Sequence, residues 1–347
     1  MTILDTTIRD GSYAVDFKFS CKDVTDLVKK SSKIGIEYIE IGHGLGIDAS
    51  STEHGISLHT DLEYLNAAKM VSGESKLGFF CIPGIANLNS ISKLRVAGLD
   101  FVRIGVTVSG FESAIPYIDE AVKNSLFVFV NFMKTYCASP REFANASTEA
   151  YKHGANCVYV VDSAGNMCWE EISEYYRETR GASDVLIGFH GHNNLGLAVE
   201  NTVTCAQNGF DFIDCTYQGI GRSVGNAPLE QVVMVLEKKG IKTGYDIPRV
   251  LEYGYSGLRN IVRDRTLVNP LDYMCGYAGF HSSFLKSIYK CCMETQVDPL
   301  RLIQAYSEEN RMTMNYERLY EIAKDLPVDT DDNPYSFAEF FSDKYND

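Results

Sequence analysis

Short apolar runs and longer amphipathic stretches alternate at near-constant spacing through the first two thirds of the chain. Residues 2–8, 36–41, 76–82, 99–106, 126–133, 156–161, 185–189 and 211–216 are rich in β-branched and aromatic side chains, which predicts eight buried strands. After each strand an apolar stripe of helical period predicts a helix, at 20–34, 60–71, 90–97, 111–124, 140–153, 169–180, 195–208 and 226–239. Ser20 with Asp23 and Thr60 with Glu63 have the spacing of N-terminal capping boxes, and Gly35 stops the first helix. Eight unbroken strand-helix repeats predict a parallel sheet with right-handed crossovers, closed into a (β/α)8 TIM barrel rather than left as an open sheet.

The rhythm ends near Gly240. Helical patterns at 247–262, 282–294, 299–309 and 316–323 predict a small all-helical C-terminal domain over 241–347, behind a barrel domain of 1–240. The acidic tail from about 329 reads as a solvated terminus.

In a closed α/β barrel the chemistry gathers at the carboxyl ends of the strands. His190 and His192 fall where the seventh strand ends. Residues i and i+2 of an extended chain point to the same side, so two imidazoles can meet at one point. Such a pair is either a half-built metal site or two hydrogen-bonded structural histidines. A metal site needs a third ligand, preferably a carboxylate from another strand end. Asp10, just past the first strand, is separated from the seventh only by the eighth. Asp-His-His with open positions suits a divalent ion that binds the carboxylate and ketone oxygens of a 2-oxo acid and stabilises an enolate. Arg9 adds a fixed cation for the same developing charge. Mixed oxygen and nitrogen ligands favour Mn²⁺, with Mg²⁺ or Co²⁺ admissible, over a structural zinc.

Composition narrows the partners. The 347 residues carry a net charge of -14 and no Lys/Arg run, which argues against nucleic acid. No apolar stretch approaches the roughly 20 residues that span a bilayer. The chain enters a strand pattern directly at Thr2, so no signal peptide is expected, and ten scattered cysteines without a CxxC pair point to reduced thiols and the cytoplasm.

Leu4 to Gly11 together with His190-Gly191-His192-Asn193 resembles the metal-dependent lyase and synthase superfamily of TIM barrels, which includes isopropylmalate synthase and hydroxymethylglutaryl-CoA lyase. Within that superfamily the chain more closely resembles 4-hydroxy-2-oxovalerate aldolase. That likeness rests on Gly42-His43-Gly44-Leu45-Gly46, His59 to Tyr64, Ile82-Pro83-Gly84-Ile85, Asp162-Ser163-Ala164-Gly165, Gly225 to Glu230 and Gly276 to Phe284. The resemblance implies a metal on Asp10, His190 and His192, Arg9 stabilising the enolate, and Ser163 on the substrate carboxylate. It implies reversible cleavage of a 4-hydroxy-2-oxo acid to pyruvate and an aldehyde. It further implies a C-terminal part that completes the site and docks an acylating aldehyde dehydrogenase; a homo-oligomer fits the same pattern.

The departures are informative. Aldolases of this family carry a catalytic histidine two positions past Arg-Asp-Gly, where this chain has Tyr13, and a site tyrosine where it has His281. If both face one substrate hydroxyl, the roles are exchanged, with His281 the base and Tyr13 the orienting group. Lys134 after strand five and Arg222 in the loop after strand eight add positive charge, which suggests a larger or more anionic aldehyde than acetaldehyde. His43 and His59 either line the site or hold their loop, and Asn226 either caps the last barrel helix or sits near the metal.

Three other readings compete. A Claisen-type acyl-CoA transferase is disfavoured by Ser12-Tyr13, where the synthases carry Glu-Gln. Schiff-base chemistry through Lys134 would resist chelators. A scaffold that lost catalysis would not need Arg9, Asp10, His190 and His192.

Overall fold

In the computed structural model the eight apolar runs pair in sequence order. β1 (Thr2–Asp5), β2 (Tyr38–Ile41), β3 (Lys76–Cys81), β4 (Phe101–Val106), β5 (Phe127–Phe132), β6 (Cys157–Asp162), β7 (Leu186–Gly191) and β8 (Phe212–Cys215) are all parallel. β8 pairs back onto β1, Thr2 beside Phe212 and Asp5 beside Cys215, so the sheet closes as the expected barrel. The structure describes residues 1–262, 269–278, 280, 284–310, 313–328 and 341. His281 and most of the acidic tail therefore lie outside the described residues.

The strands are followed by α1 (Cys21–Lys33), α2 (Asp61–Lys69), α3 (Leu88–Val96), α4 (Ile115–Lys123), α5 (Pro140–Lys152), α6 (Trp169–Ala182), α7 (Ala198–Gln207) and α8 (Leu229–Lys238). Ser20 and Thr60 form the two expected capping boxes, and Ser139 with Glu142 forms another ahead of α5. The helix predicted from 226 starts only at Leu229, because Asn226 is drawn into a bridge with His192. The one predicted from 111 is a 3-10 turn, Val108–Ala114, that passes into α4.

The chain divides into two compact units, Met1–Val232 and Val233–Asp347. The second contains α9 (Ile247–Leu258), α10 (Pro270–Ala278), α11 (Leu285–Thr295), α12 (Pro299–Glu309) and α13 (Tyr316–Asp325), with α10 packed on α12 and α11 on α13. Periodicity does not single out α10, whose nine residues include a glycine and two tyrosines. Among the described residues no helix is long and apolar enough to cross a membrane.

The barrel interior is layered by the two-residue period of its strands. Tyr38, Phe101, Phe129, Tyr159 and Phe212 make an aromatic floor, with Phe129 edge-on to Phe212 at 5.1 Å. Two residues further along their strands come Glu40, Arg103, Asn131 and Asp214, all buried, and His190 follows Gly188 in the same way. The site thus stands on a polar layer, itself seated on packed rings.

Gly188 keeps that order possible. A Cβ there would lie 2.4 Å from Tyr159 Cζ, and the Tyr159 ring is pinned between its neighbours and the Arg103 guanidinium, 4.0 Å above its centroid. Gly188→Ala should lower stability by about 3 kcal/mol, the upper end of overpacking costs. Urea denaturation checks this, and an unchanged midpoint would show that Tyr159 can step aside.

Candidate metal centre

The turn after β1 is fixed before any ligand is considered. Asp5 accepts the Thr7 amide N–H at 2.8 Å and the Ser31 hydroxyl at 2.7 Å, while Thr7 Oγ1 accepts the Tyr217 N–H at 2.8 Å. Asp10 N–H donates to Thr6 O at 2.8 Å. This braces the Arg9-Asp10 turn against the loop that follows β8. Gly221 lets that loop close in: a Cβ there would stand 2.2 Å from Asn226 Nδ2 and 2.9 Å from Asp10 Oδ2.

Asp10, His190 and His192 then offer ligand atoms that all lie within 4.8 Å of one another, and all three residues are buried. The two imidazoles stand 5.2 Å apart, nearly perpendicular at 83°. His190 Nδ1 lies 2.7 Å from Asp214 Oδ2. A carboxylate only accepts, so Nδ1 carries the proton and Nε2 turns its lone pair toward Asp10 Oδ2, 3.9 Å away. A carboxylate behind a ligating histidine is the usual support of a metal site. His192 Nδ1 and Asn226 Oδ1 are buried without a hydrogen-bond partner among the described residues, which a bound ion or its water would supply. One carboxylate and two imidazoles, with orphaned donors and acceptors around them, fit a divalent ion.

Charges support this assignment. Burial alone would raise the Asp10 carboxyl, but Arg9, His192, His190 and the Asn226 hydrogen bond outweigh it and hold it at about 2. Burial drives His190 well below the ordinary imidazole range, more than Asp10 raises it, so it is the neutral form a ligand must be. Arg9 gives Nη1 to Asp10 Oδ1 at 2.9 Å and Nε to Glu40 Oε2 at 2.7 Å, with its guanidinium 4.7 Å from the Phe80 centroid.

Tyr13 lies at the rim beside this cluster, and burial raises its phenol, which therefore keeps its proton. Arg222 is exposed, with its guanidinium 5.7 Å from the Tyr13 ring. Ser163 directly follows β6 and its Oγ accepts the Lys134 N–H at 2.9 Å. Lys134 is held with φ 55° and is exposed; it borders a cavity of about 460 Å³ with Thr107, Ser109, Glu112 and Cys137. No metal-cluster residue lines that cavity. The structure therefore brings Arg9, Asp10, Tyr13, His190 and His192 together, while Lys134 borders the cavity beside α5. His43 is a loop holder: Nδ1 accepts the Leu45 N–H at 3.0 Å and Nε2 faces Gly55 O at 3.2 Å. Asn226 does not cap α8; its amide donates to Asp10 Oδ2 and to Ile220 O at 3.1 Å. Glu40, Arg103, Asn131 and Asp214 escape a reading by motif. Their signal is a charged or amide residue inside an otherwise apolar strand.

The HMGL-like family pattern matches residues 1–254. An oxaloacetate decarboxylase of Mycobacterium tuberculosis is 38% identical over 282 residues, 81% of this chain and 83% of its own length. A 4-hydroxy-2-oxovalerate aldolase of Rhodococcus jostii is 30% identical over 334 residues, 96% of this chain and 97% of its own. Among solved structures, the HMG-CoA lyase of Brucella melitensis superposes with a TM-score of 0.66 at 17% identity, over 76% of this chain and 99% of that one, a likeness of fold. The chain belongs to the HMGL-like family and is a carbon–carbon lyase.

Proposed function

We propose that this lyase, with Mn²⁺ as its ion, cleaves a 4-hydroxy-2-oxo acid to pyruvate and an aldehyde. The observation that carries the reading is the convergence of Asp10, His190 and His192 within 4.8 Å, with the Arg9 guanidinium on the carboxylate of Asp10. Asp10, His190 and His192 would hold the divalent ion, which would supply a Lewis acid for the oxygens of a 2-oxo acid. Arg9 holds its remaining donors where negative charge grows on the ketone oxygen as the C3–C4 bond breaks. The electron pair of that bond passes into the enolate, the proton of the 4-hydroxyl passes to a base, and C3 is then protonated to give pyruvate. Tyr13 keeps its own proton, so it orients the 4-hydroxyl and leaves the base role to His281. An acylating aldehyde dehydrogenase would consume the aldehyde, a reading supported by near full-length similarity to the aldolases.

A second substrate class is favoured by the same tyrosine and by the 38% identical relative. Loss of the terminal carboxyl of oxaloacetate breaks the same bond and leaves the same enolate, but the departing group is CO₂ and no hydroxyl proton needs a base. A site with a protonated phenol where related aldolases carry a histidine suits that reaction.

Coupling pyruvate release to a lactate dehydrogenase assay separates the two. With 4-hydroxy-2-oxovalerate and a 4-hydroxy-2-oxo acid bearing an anionic tail, His281→Ala should lower kcat about 100-fold, the low end of general-base effects. Tyr13→Phe should cost about tenfold or less, and neither change should slow oxaloacetate by more than a few-fold. The reverse ranking of the two variants would remove His281 as base. Turnover of oxaloacetate alone would make the decarboxylase reading the correct one.

A further inference from the structure

Two of the ligands and the polar groups beneath them form a closed, buried ring of six side chains. Arg9 contacts Asp10 at 2.9 Å, and Asp10 stands 3.9 Å from His190. His190 contacts Asp214 at 2.7 Å, and Asp214 pairs with Arg103 at 2.5 Å. Arg103 lies 3.6 Å from Glu40, which pairs with Arg9 at 2.7 Å and closes the ring. Arg103 is fully buried, 0% exposed, at the centre of the barrel. Its plane is fixed from two sides, with Nε and Nη2 donating to Asn131 Oδ1 at 3.0 and 2.7 Å and the Tyr159 ring lying 4.0 Å from Cζ.

Stability does not account for such an arginine. Buried ion pairs seldom outdo well-packed apolar residues of similar volume, and the layer immediately below is made of aromatic rings. What Arg103 does have is one carboxylate that orients a ligand histidine and another that orients Arg9. We propose that Arg103 is the positioning residue of the metal centre. It fixes Asp214, and so the Nδ1–H tautomer and ring angle of His190, and it fixes Glu40, and so the guanidinium of Arg9. The inference rests on the metal-centre reading above. It goes beyond it by assigning the selectivity of that geometry to a residue that touches neither ion nor substrate.

The test is Mn²⁺ binding to metal-stripped, full-length protein, followed by electron paramagnetic resonance well below the unfolding midpoint and alongside circular dichroism. Removing an outer partner of a metal ligand typically weakens binding 10- to 100-fold, so Arg103→Met should raise the Mn²⁺ Kd by about that factor while the helical signal stays. Arg103→Lys, which restores charge but can serve only one carboxylate well, should recover part of the loss. Asn131→Ala leaves every ring member in place but frees one edge of the guanidinium, and should raise the Kd about threefold to tenfold, which keeps the test available should Arg103→Met not fold. Folded Arg103→Met, or in its absence folded Asn131→Ala, with the wild-type Kd would overturn the proposal and reduce Arg103 to a structural ion pair. Wild-type protein that takes up no Mn²⁺ would overturn the metal centre together with it, so the two failures are distinct.

Discussion

Asp10→Asn is expected to abolish Mn²⁺ binding at micromolar concentration and to lower kcat/KM by about 10⁴-fold. The substitution keeps the shape of the side chain and removes its charge. Two imidazoles without an anionic ligand are a poor site for a hard divalent ion, which prefers oxygen donors. The change also strands a neighbour. The single oxygen left can accept from Arg9 Nη1 or from the Asn226 amide, which now donates to Asp10 Oδ2, but not from both, and the other donor then faces an N–H. Lewis-acid stabilisation of an enolate is worth several kcal/mol, and at about 1.4 kcal/mol per factor of ten this loss corresponds to roughly four decades. Because the wild-type carboxyl is held at about 2, it is charged throughout the range in which the enzyme is assayed, and mild acid should not reproduce the variant by protonating Asp10. Isothermal titration with Mn²⁺ and the coupled pyruvate assay check the two halves. Wild-type rates from Asp10→Asn, or from protein stripped of every ion, would dispose of metal-assisted chemistry at this site.

The barrel and its Asp-His-His cluster were legible in the sequence for one physical reason: strand ends are where the apolar pattern must break. Arg9, Asp10, His190 and His192 stand at those breaks, and closure of eight repeats brings strands one and seven within one strand of each other. What sits inside a strand is harder to read. Phe101-Val102-Arg103-Ile104-Gly105-Val106 scans as one apolar run with an accidental arginine, and nothing local says that Glu40 and Asp214 come from other strands to meet it. The usable clue is register: Tyr38 and Glu40, Phe101 and Arg103, Phe129 and Asn131, Phe212 and Asp214 repeat the same step from ring to polar group. Asn226 shows the opposite limit. Its position before a helix suggests a cap, but its bond to Asp10 spans 216 residues and wins over the local option. Lys134 shows a related limit, since a left-handed backbone just past β5, which sequence pattern does not announce, brings it to the border of the cavity beside α5.

Arg9→Lys should be nearly as damaging as loss of a metal ligand, in a way that kinetics can tell apart. The guanidinium is held by three groups at once: Glu40 on Nε, Asp10 on Nη1 and the Phe80 ring at 4.7 Å. Nη2 makes no bond to a described residue and remains for substrate. A lysine ammonium is a point charge on a flexible stem, so it can pair with Glu40 or with Asp10 but cannot hold both and still face a third oxygen. The charge of the site is then kept while its direction is lost. Preorganised donors at a developing oxyanion are worth about 10²- to 10³-fold each in kcat, so kcat should fall about 10³-fold. KM should move less than about fivefold, because an interaction made chiefly in the transition state leaves ground-state binding nearly untouched. The Mn²⁺ Kd should change by less than about tenfold, since all three ligands remain, and this separates the variant from Asp10→Asn. A variant that kept kcat and lost affinity for the 2-oxo acid would place Arg9 on the substrate carboxylate instead, and the burden of stabilising the enolate would fall on the ion alone.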